Sequence, residues 1–179
     1  MSINDNGIME ALKENPQNGF RMLMAKYQEN VYWHIRRLVV SHDDAQDASQ
    51  ETFVRIYRSF DNYRGDCSLR SWIYRIATNE ALRIISKRRQ EVVSIDSETT
   101  GVNLIQGDDY IDFSDKVAVK LQKAILLLPP KQQLAFNLRY YEELGFDEIA
   151  KIADSTPTSI KASYHVAKEK IIKYMNSTD

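Results

Sequence analysis

The chain has 179 residues, with 24 Lys+Arg against 25 Asp+Glu for a net charge of −1, and 43% of its residues are hydrophobic. That is too apolar for wholesale disorder, and the length bounds the chain to one domain or two small ones. A lone cysteine, Cys67, excludes an internal disulfide, no Cys/His set has zinc spacing, and the longest apolar run, Ala124 to Leu128, falls far short of the ~20 residues that span a bilayer.

The N-terminus lacks a basic region followed by an apolar core, so no signal peptide is expected and the cytoplasm is the expected compartment. Residues 1–15 read as an N-terminal tail carrying one base and three acids. The first helix runs from about Gly19 to Val40, with Phe20, Leu23, Tyr27, Val31 and Ile35 on one face. A second begins near His42 and Asp43, which are plausible caps, and buries Ala45, Ala48, Thr52, Phe53, Ile56 and Phe60. Its acids Asp43, Asp44 and Asp47 lie in the first turn, where the helix dipole favours them. They do not make a cation site, which needs six or more oxygens and usually a Gly-bearing loop. A solvated turn and a partner interface both fit them.

A turn-rich loop, Asp61 to Ser68, leads to a third helix starting near Leu69, with a stripe of Trp72/Ile73, Ile76/Ala77, Ala81 and Ile84/Ile85. Residues 16–90 hold 13 bases and eight acids, a local charge of +5. Residues 91–113 hold six acids and no base, a local charge of −6, with no strong helical period. So long a stretch reads as an interdomain linker. It is either a solvated tether or, through Val102, Leu104, Ile105 and Tyr110, a segment that binds a partner's groove.

Residues 114–179 hold ten bases and eight acids, +2. One helix, Lys116 to Leu128, stops at Pro129 and Pro130, and another runs from Lys131 to Tyr141. Phe146, Ile149, Ala150 and Ala153 mark a short helix, Asp154 and Ser155 a turn, and Thr156 a cap with Pro157 at the first helical position. The final helix buries Ile160, Tyr164, Ala167, Ile171 and Tyr174. Short helix, tight turn and longer basic helix describe a helix-turn-helix. With no alternating strand and no internal repeat, the fold class is all-α: two small helical domains, 16–90 and 114–179, joined by an acidic flexible linker.

The segment charges undo the objection that a net charge of −1 raises to nucleic-acid binding, because exposed charges act within roughly 10 Å. Opposite the apolar stripe of the third helix lie Arg75, Asn79, Arg83 and Lys87, a ridge about 18 Å long at 1.5 Å per residue, finished by Arg88 and Arg89. Cations with an amide suit phosphates and base edges. Tyr63, Arg64 and Asp66 precede the ridge, bordered by Phe60 and Trp72. Such aromatics either stack unpaired bases or are simply core. On the last helix Thr158, Ala162, His165, Val166 and Glu169 face outward, flanked by Lys161 and Lys168 on one side and Ser159, Ser163 and Lys170 on the other; Glu169 opposes a polyanion and should lie away from it. An ordinary amphipathic helix would also fit. His34, His42 and His165 lie on separate elements with no nucleophile beside them, and there is no phosphate loop. No enzyme activity, cofactor, metal or small-molecule substrate is expected.

These residues resemble a known family. The stretch Asp44 to Tyr57 (DAQDASQETFVRIY) resembles the polymerase-binding helix of bacterial sigma factors. Tyr63 to Asn79 (YRGDCSLRSWIYRIATN), running on to Arg89, is similar to their promoter-melting region. Leu128 to Gln133, Leu138 to Tyr141, Glu148 to Ala150 and Ser159 to Lys161 resemble their helix-turn-helix domain. Two such domains with nothing else between them is the extracytoplasmic-function (ECF) arrangement. The resemblance implies that Asp44, Asp47, Gln50, Glu51, Phe53 and Arg55 dock on core RNA polymerase, its largest and second-largest subunits being the partners. It implies that Tyr63, Arg64, Asp66, Trp72, Arg75, Asn79, Arg83, Lys87, Arg88 and Arg89 take single-stranded −10 promoter DNA. It implies that Thr158, Ser159, Lys161, Ala162, Ser163, His165, Val166 and Lys168 read duplex −35 DNA, and that an anti-sigma protein holds the chain inactive. Members of the family often carry Ser at position 162 and Arg at 163 and 166. Ala162, Ser163 and Val166 depart from that pattern, so the upstream contact should be less electrostatic. Two rivals remain: a two-domain regulator that binds duplex DNA alone, and a helical interaction protein that binds no nucleic acid.

Overall fold

A computed structural model describes residues 2–93 and 114–178. The described residues form eight α-helices and no strand: α1 (Asp5–Glu14), α2 (Pro16–Val39), α3 (His42–Ser59), α4 (Leu69–Val93), α5 (Lys116–Leu126), α6 (Pro130–Tyr140), α7 (Phe146–Ala153) and α8 (Pro157–Asn176). A 3-10 turn, Phe60–Asn62, follows α3. The expected linker falls on residues outside this description, except that α4 continues to Val93.

The expected N-terminal tail is instead helix α1. Asn4 caps it, accepting from the Asn6 amide, and Ile8 and Leu12 are buried on α2. Asp5 anchors its start, accepting from Lys26 Nζ at 2.7 Å and the Tyr27 hydroxyl at 2.8 Å. The two helices touch at Gly19, where a Cβ would run into the Leu12 backbone. A segment with two inward apolar residues gives too short a periodic signal to read, because the helix needs α2 to hold it.

Asn15 caps α2, with Pro16 at its first turn. The expected stripe is buried at Leu23, Tyr27, Val31 and Ile35, while Phe20 is half-buried. The cap of α3 is Ser41 rather than His42 or Asp43: its hydroxyl accepts from the Asp44 amide, and Val40 makes the turn at φ 67°. That shift of one or two residues leaves Asp43 and Asp44 in the first turn as expected, but Asp47, expected there too, falls in the second turn because the helix already starts at His42.

Helix α4 is buried on two sides. Ile73, Ala77 and Ala81 face α2 and α3 as expected, but Ser71, Tyr74, Thr78 and Glu80 are buried as well. The second face explains the mixed character of this stretch. Thr78 accepts or donates to His34 Nε2 at 2.8 Å, and the Tyr74 ring lies 5.0 Å from the His34 ring. Burial and the nearby Arg37 cation press the His34 pKa down to about 3, so its ring is neutral.

What covers the second face is the C-terminal unit. One apolar cluster joins Ile35, Leu38 and Tyr74 of the first unit to Leu134, Leu138, Leu144, Ile149 and Ile152 of the second. A smaller cluster, Ala124, Ile125, Leu128, Phe136, Ala167 and Ile171, packs α5, α6 and α8 together. The two helical units are therefore joined by a shared core, not by the connector alone.

Candidate functional site

Three outward faces carry the residues that the sequence singles out. The first is α3. Asp47 and Gln50 are exposed, whereas Glu51 is half-buried and pairs with Arg55 at 3.3 Å. Arg55 also reaches the buried Glu80 of α4. Asp44 pairs with Arg88, tying the start of α3 to the end of α4. Phe53 is only 6% exposed and meets the Phe20 ring edge-on at 6.5 Å, so it belongs to the core. Its neighbours take the outward position instead: Val54 and Tyr57 are exposed, with Tyr57 against Phe20 at 5.2 Å. Their signal in the sequence is an apolar residue off the core stripe.

The second face is the loop after α3 together with α4. Tyr63 and Trp72 pack ring to ring at 5.2 Å, and the Tyr63 hydroxyl donates to the Cys67 carbonyl at 2.6 Å. Both rings are half-buried. Partial burial raises the pKa of both the Tyr63 hydroxyl and the Cys67 thiol, leaving them protonated. Ser68 opens α4 by accepting from the Ser71 amide at 3.1 Å, and Gly65 takes φ 80°, a turn that glycine adopts freely. Arg64 and Asp66 are exposed at the loop tip.

Along α4 the expected ridge divides. Lys87 and Arg89 are exposed. Arg83 folds back on Glu80 at 3.0 Å, and Arg88 is held by Asp44. Arg75 and Asn79 look into a crevice of about 200 Å³ shared with Leu82, Leu134, Ile152 and Asp154. Two of the ten residues expected to take −10 DNA thus face the C-terminal unit.

The third face is α8, set by a helix-turn-helix built as the sequence predicts. Asp154 ends α7 in the left-handed region at φ 52°, and the Ser155 amide returns to the Ala150 carbonyl at 2.9 Å. Thr156 caps α8 by accepting from the Ser159 amide, and Pro157 occupies the first turn. Ile160, Ala167 and Ile171 are buried; Tyr164 and Tyr174 are half-buried. Thr158, Lys161, Ala162, His165, Val166 and Lys168 all face outward. Ser163 is half-buried, and Ser159 accepts from Lys131 Nζ at 2.7 Å. The outward surface is mixed: Val166, 40% exposed, stands among cations and small residues.

Among the described residues no group of three His, Cys, Asp or Glu could hold a metal ion, and no helix is long and apolar enough to cross a membrane. An acidic patch, a partly covered cationic ridge and an outward basic helix can bind a protein and a polyanion at separate places.

Comparison with known proteins fits this division. Residues 23–91 match the family described as Sigma-70 region 2, and residues 118–171 match Sigma-70, region 4. RNA polymerase sigma-H factor of Pseudomonas aeruginosa is 27% identical over 178 residues, covering 94% of this chain and 92% of that protein. ECF RNA polymerase sigma-E factor of Escherichia coli K12 is 28% identical, covering 94% and 93%. Two solved structures share the fold. One is the sigma factor RpoE with the anti-sigma factor NepR from Bartonella quintana (TM-score 0.71, 20% identity, 89% of this chain and 98% of that one). The other is CnrH with the cytosolic domain of CnrY (TM-score 0.73, 16% identity, 99% and 100%).

Proposed function

The chain belongs to the sigma-70 family, in its extracytoplasmic-function group, and from that premise we propose how its residues divide the work of promoter selection. The protein binds core RNA polymerase and directs promoter-dependent initiation of transcription. The observation that carries this is the presence of both sigma regions, in order, with an outward-facing helix-turn-helix in the second.

In the proposed division, Asp47, Gln50 and Glu51 meet the polymerase largest subunit, with Val54 and Tyr57 adding apolar area beside them. Arg64, Asp66 and the Tyr63–Trp72 pair receive unpaired bases of the −10 element. Arg75, Asn79, Lys87 and Arg89 hold the adjoining strand by its phosphates. Lys161 and Lys168 hold the −35 duplex, and Ala162, His165 and Val166 approach its major groove. Val166 and Ala162 suit the methyl of thymine rather than the edge of guanine. Phe53 supports the docking helix from within. Sigma factors are non-catalytic initiation factors; this chain performs no reaction of its own and works in the cytoplasm. An anti-sigma protein that covers the same helices is its natural inhibitor.

The test is in vitro transcription with purified core polymerase on genomic DNA fragments, mapping 5′ ends. Chain-dependent start sites sharing two spaced elements are expected. No chain-dependent start from any fragment overturns the reading.

A further inference from the structure

A helix seated in a major groove meets phosphates on both walls. The groove is about 12 Å wide and a helix with its side chains about 10–12 Å across, so both flanks of the helix come within reach of a strand. Helix α8 is unevenly equipped for this. Lys161 and Lys168 are exposed on one flank of its outward face. The other flank begins with Ser159 and Ser163, both half-buried and uncharged. Its own cation, Lys170, lies about 17 Å beyond Ser159 along the axis, beside the outward acid Glu169. The Lys170 ammonium is also engaged by α6, donating to Gln132 Oε1 at 3.0 Å.

The first turn of α6 supplies what that flank lacks. Helix α6 starts at Pro130, and the next residue, Lys131, is exposed. Lys131 Nζ donates to Ser159 Oγ at 2.7 Å, which brings a cation from another helix to the first turn of α8. Gln132 meets Lys170 from the same turn, so α6 lies along the uncharged flank. Apolar contacts between the two helices, Phe136 on Tyr164 at 6.0 Å among them, fix this register. The partner of Lys131 is a neutral hydroxyl. It takes one of the three ammonium donors and leaves the charge, whereas Arg83 and Arg88 of the first unit face carboxylates. We propose that Lys131 is a phosphate contact of the −35 interface, presented by α6 to the groove wall opposite the one that Lys161 and Lys168 meet, and that Ser159 acts through it rather than at a base edge. The inference rests on the reading of α8 as the −35 helix.

The test uses holoenzyme assembled from the full chain and purified core polymerase, on a promoter fragment mapped by its transcription start. Lys131→Ala should weaken binding about five- to tenfold at about 0.1 M salt and lower the slope of log affinity against log salt by about 0.9, as Lys161→Ala does, with the double variant lower by about 1.8. Lys131→Arg should keep the parent slope. Single methylphosphonates, which neutralise one phosphate at a time, then separate the two walls. Each strand of the −35 element should hold a phosphate whose neutralisation weakens the parent. Lys131→Ala should become indifferent to the one on one strand, and Lys161→Ala to the one on the other. Ser159→Ala should weaken binding in the parent and add nothing in the Lys131→Ala background. An unchanged slope for Lys131→Ala beside a lowered slope for Lys161→Ala overturns the proposal and leaves the reading of α8 standing; unchanged slopes for both overturn that reading as well. Indifference to the same phosphate in both variants overturns the second wall. A full additional loss from Ser159→Ala in the Lys131→Ala background overturns its action through Lys131.

Discussion

His34 makes the stability of the fold depend on pH in a range where carboxylates are quiet. The ring is buried between α2 and α4, bonded to Thr78, with its pKa pressed to about 3 by burial first and by Arg37 second. Unfolded, it takes a proton near pH 6.5. A folded pKa below the unfolded one means the contribution is fully present above about pH 6.5 and is lost as pH falls, until the native ring protonates near pH 3. Each pH unit below 6.5 costs about 1.4 kcal/mol, so a drop from pH 7.5 to 5.5 removes about 1.4 kcal/mol in total. Urea unfolding at the two pH values measures it. His34→Gln keeps an amide within reach of Thr78 and a good helix former in α2, while removing the titration. The variant starts less stable, having lost the ring contact with Tyr74, but its stability should change less between pH 7.5 and 5.5 by about 1.4 kcal/mol. Equal slopes for parent and variant would show that another group titrates, and would refute the neutral buried ring.

Three further outcomes are expected. Gly19→Ala drives a methyl into the Leu12 backbone and should cost about 1–3 kcal/mol by urea unfolding, whereas Gly7→Ala, with nothing within 4 Å, should gain about 0.5–1 kcal/mol. Phe53→Ala should lose about 3–5 kcal/mol of stability, while Gln50→Ala should weaken core polymerase binding in a fluorescence anisotropy titration and leave the urea midpoint unchanged. Lys161→Ala should lower the slope of log affinity against log salt for holoenzyme on promoter DNA by about 0.9, and an unchanged slope would remove Lys161 from the phosphate contacts.

How far the sequence reaches depends on where each contact comes from. The spacing Ile160, Tyr164, Ala167, Ile171 specifies the inner face of α8 because helical period and burial agree locally, and Thr156 with Pro157 marks its start. Helix α4 shows the limit. Its first stripe was readable, but Tyr74 and Thr78 look like ordinary off-stripe residues until a second unit packs against them. Glu142 is the extreme case: its partners Arg37 and Tyr74 lie 105 and 68 residues away, beyond any local pattern. Arg83 and Arg88 likewise have the spacing of free cations, yet Glu80 and Asp44 hold them.

Those pairings change what the local charge means. The first unit has a surplus of five bases by sequence, but Arg37, Arg55, Arg70, Arg83 and Arg88 each face a carboxylate of the same chain. Glu80 and Glu142 are each shared by two of them, and Glu142 belongs to the other unit. The charge that a polyanion meets on the first unit is therefore carried by its exposed bases, Arg64, Lys87 and Arg89 among them, rather than by all thirteen. An exposed ion pair such as Arg75–Asp154 contributes about 0–1 kcal/mol, so a phosphate would replace the Asp154 carboxylate readily.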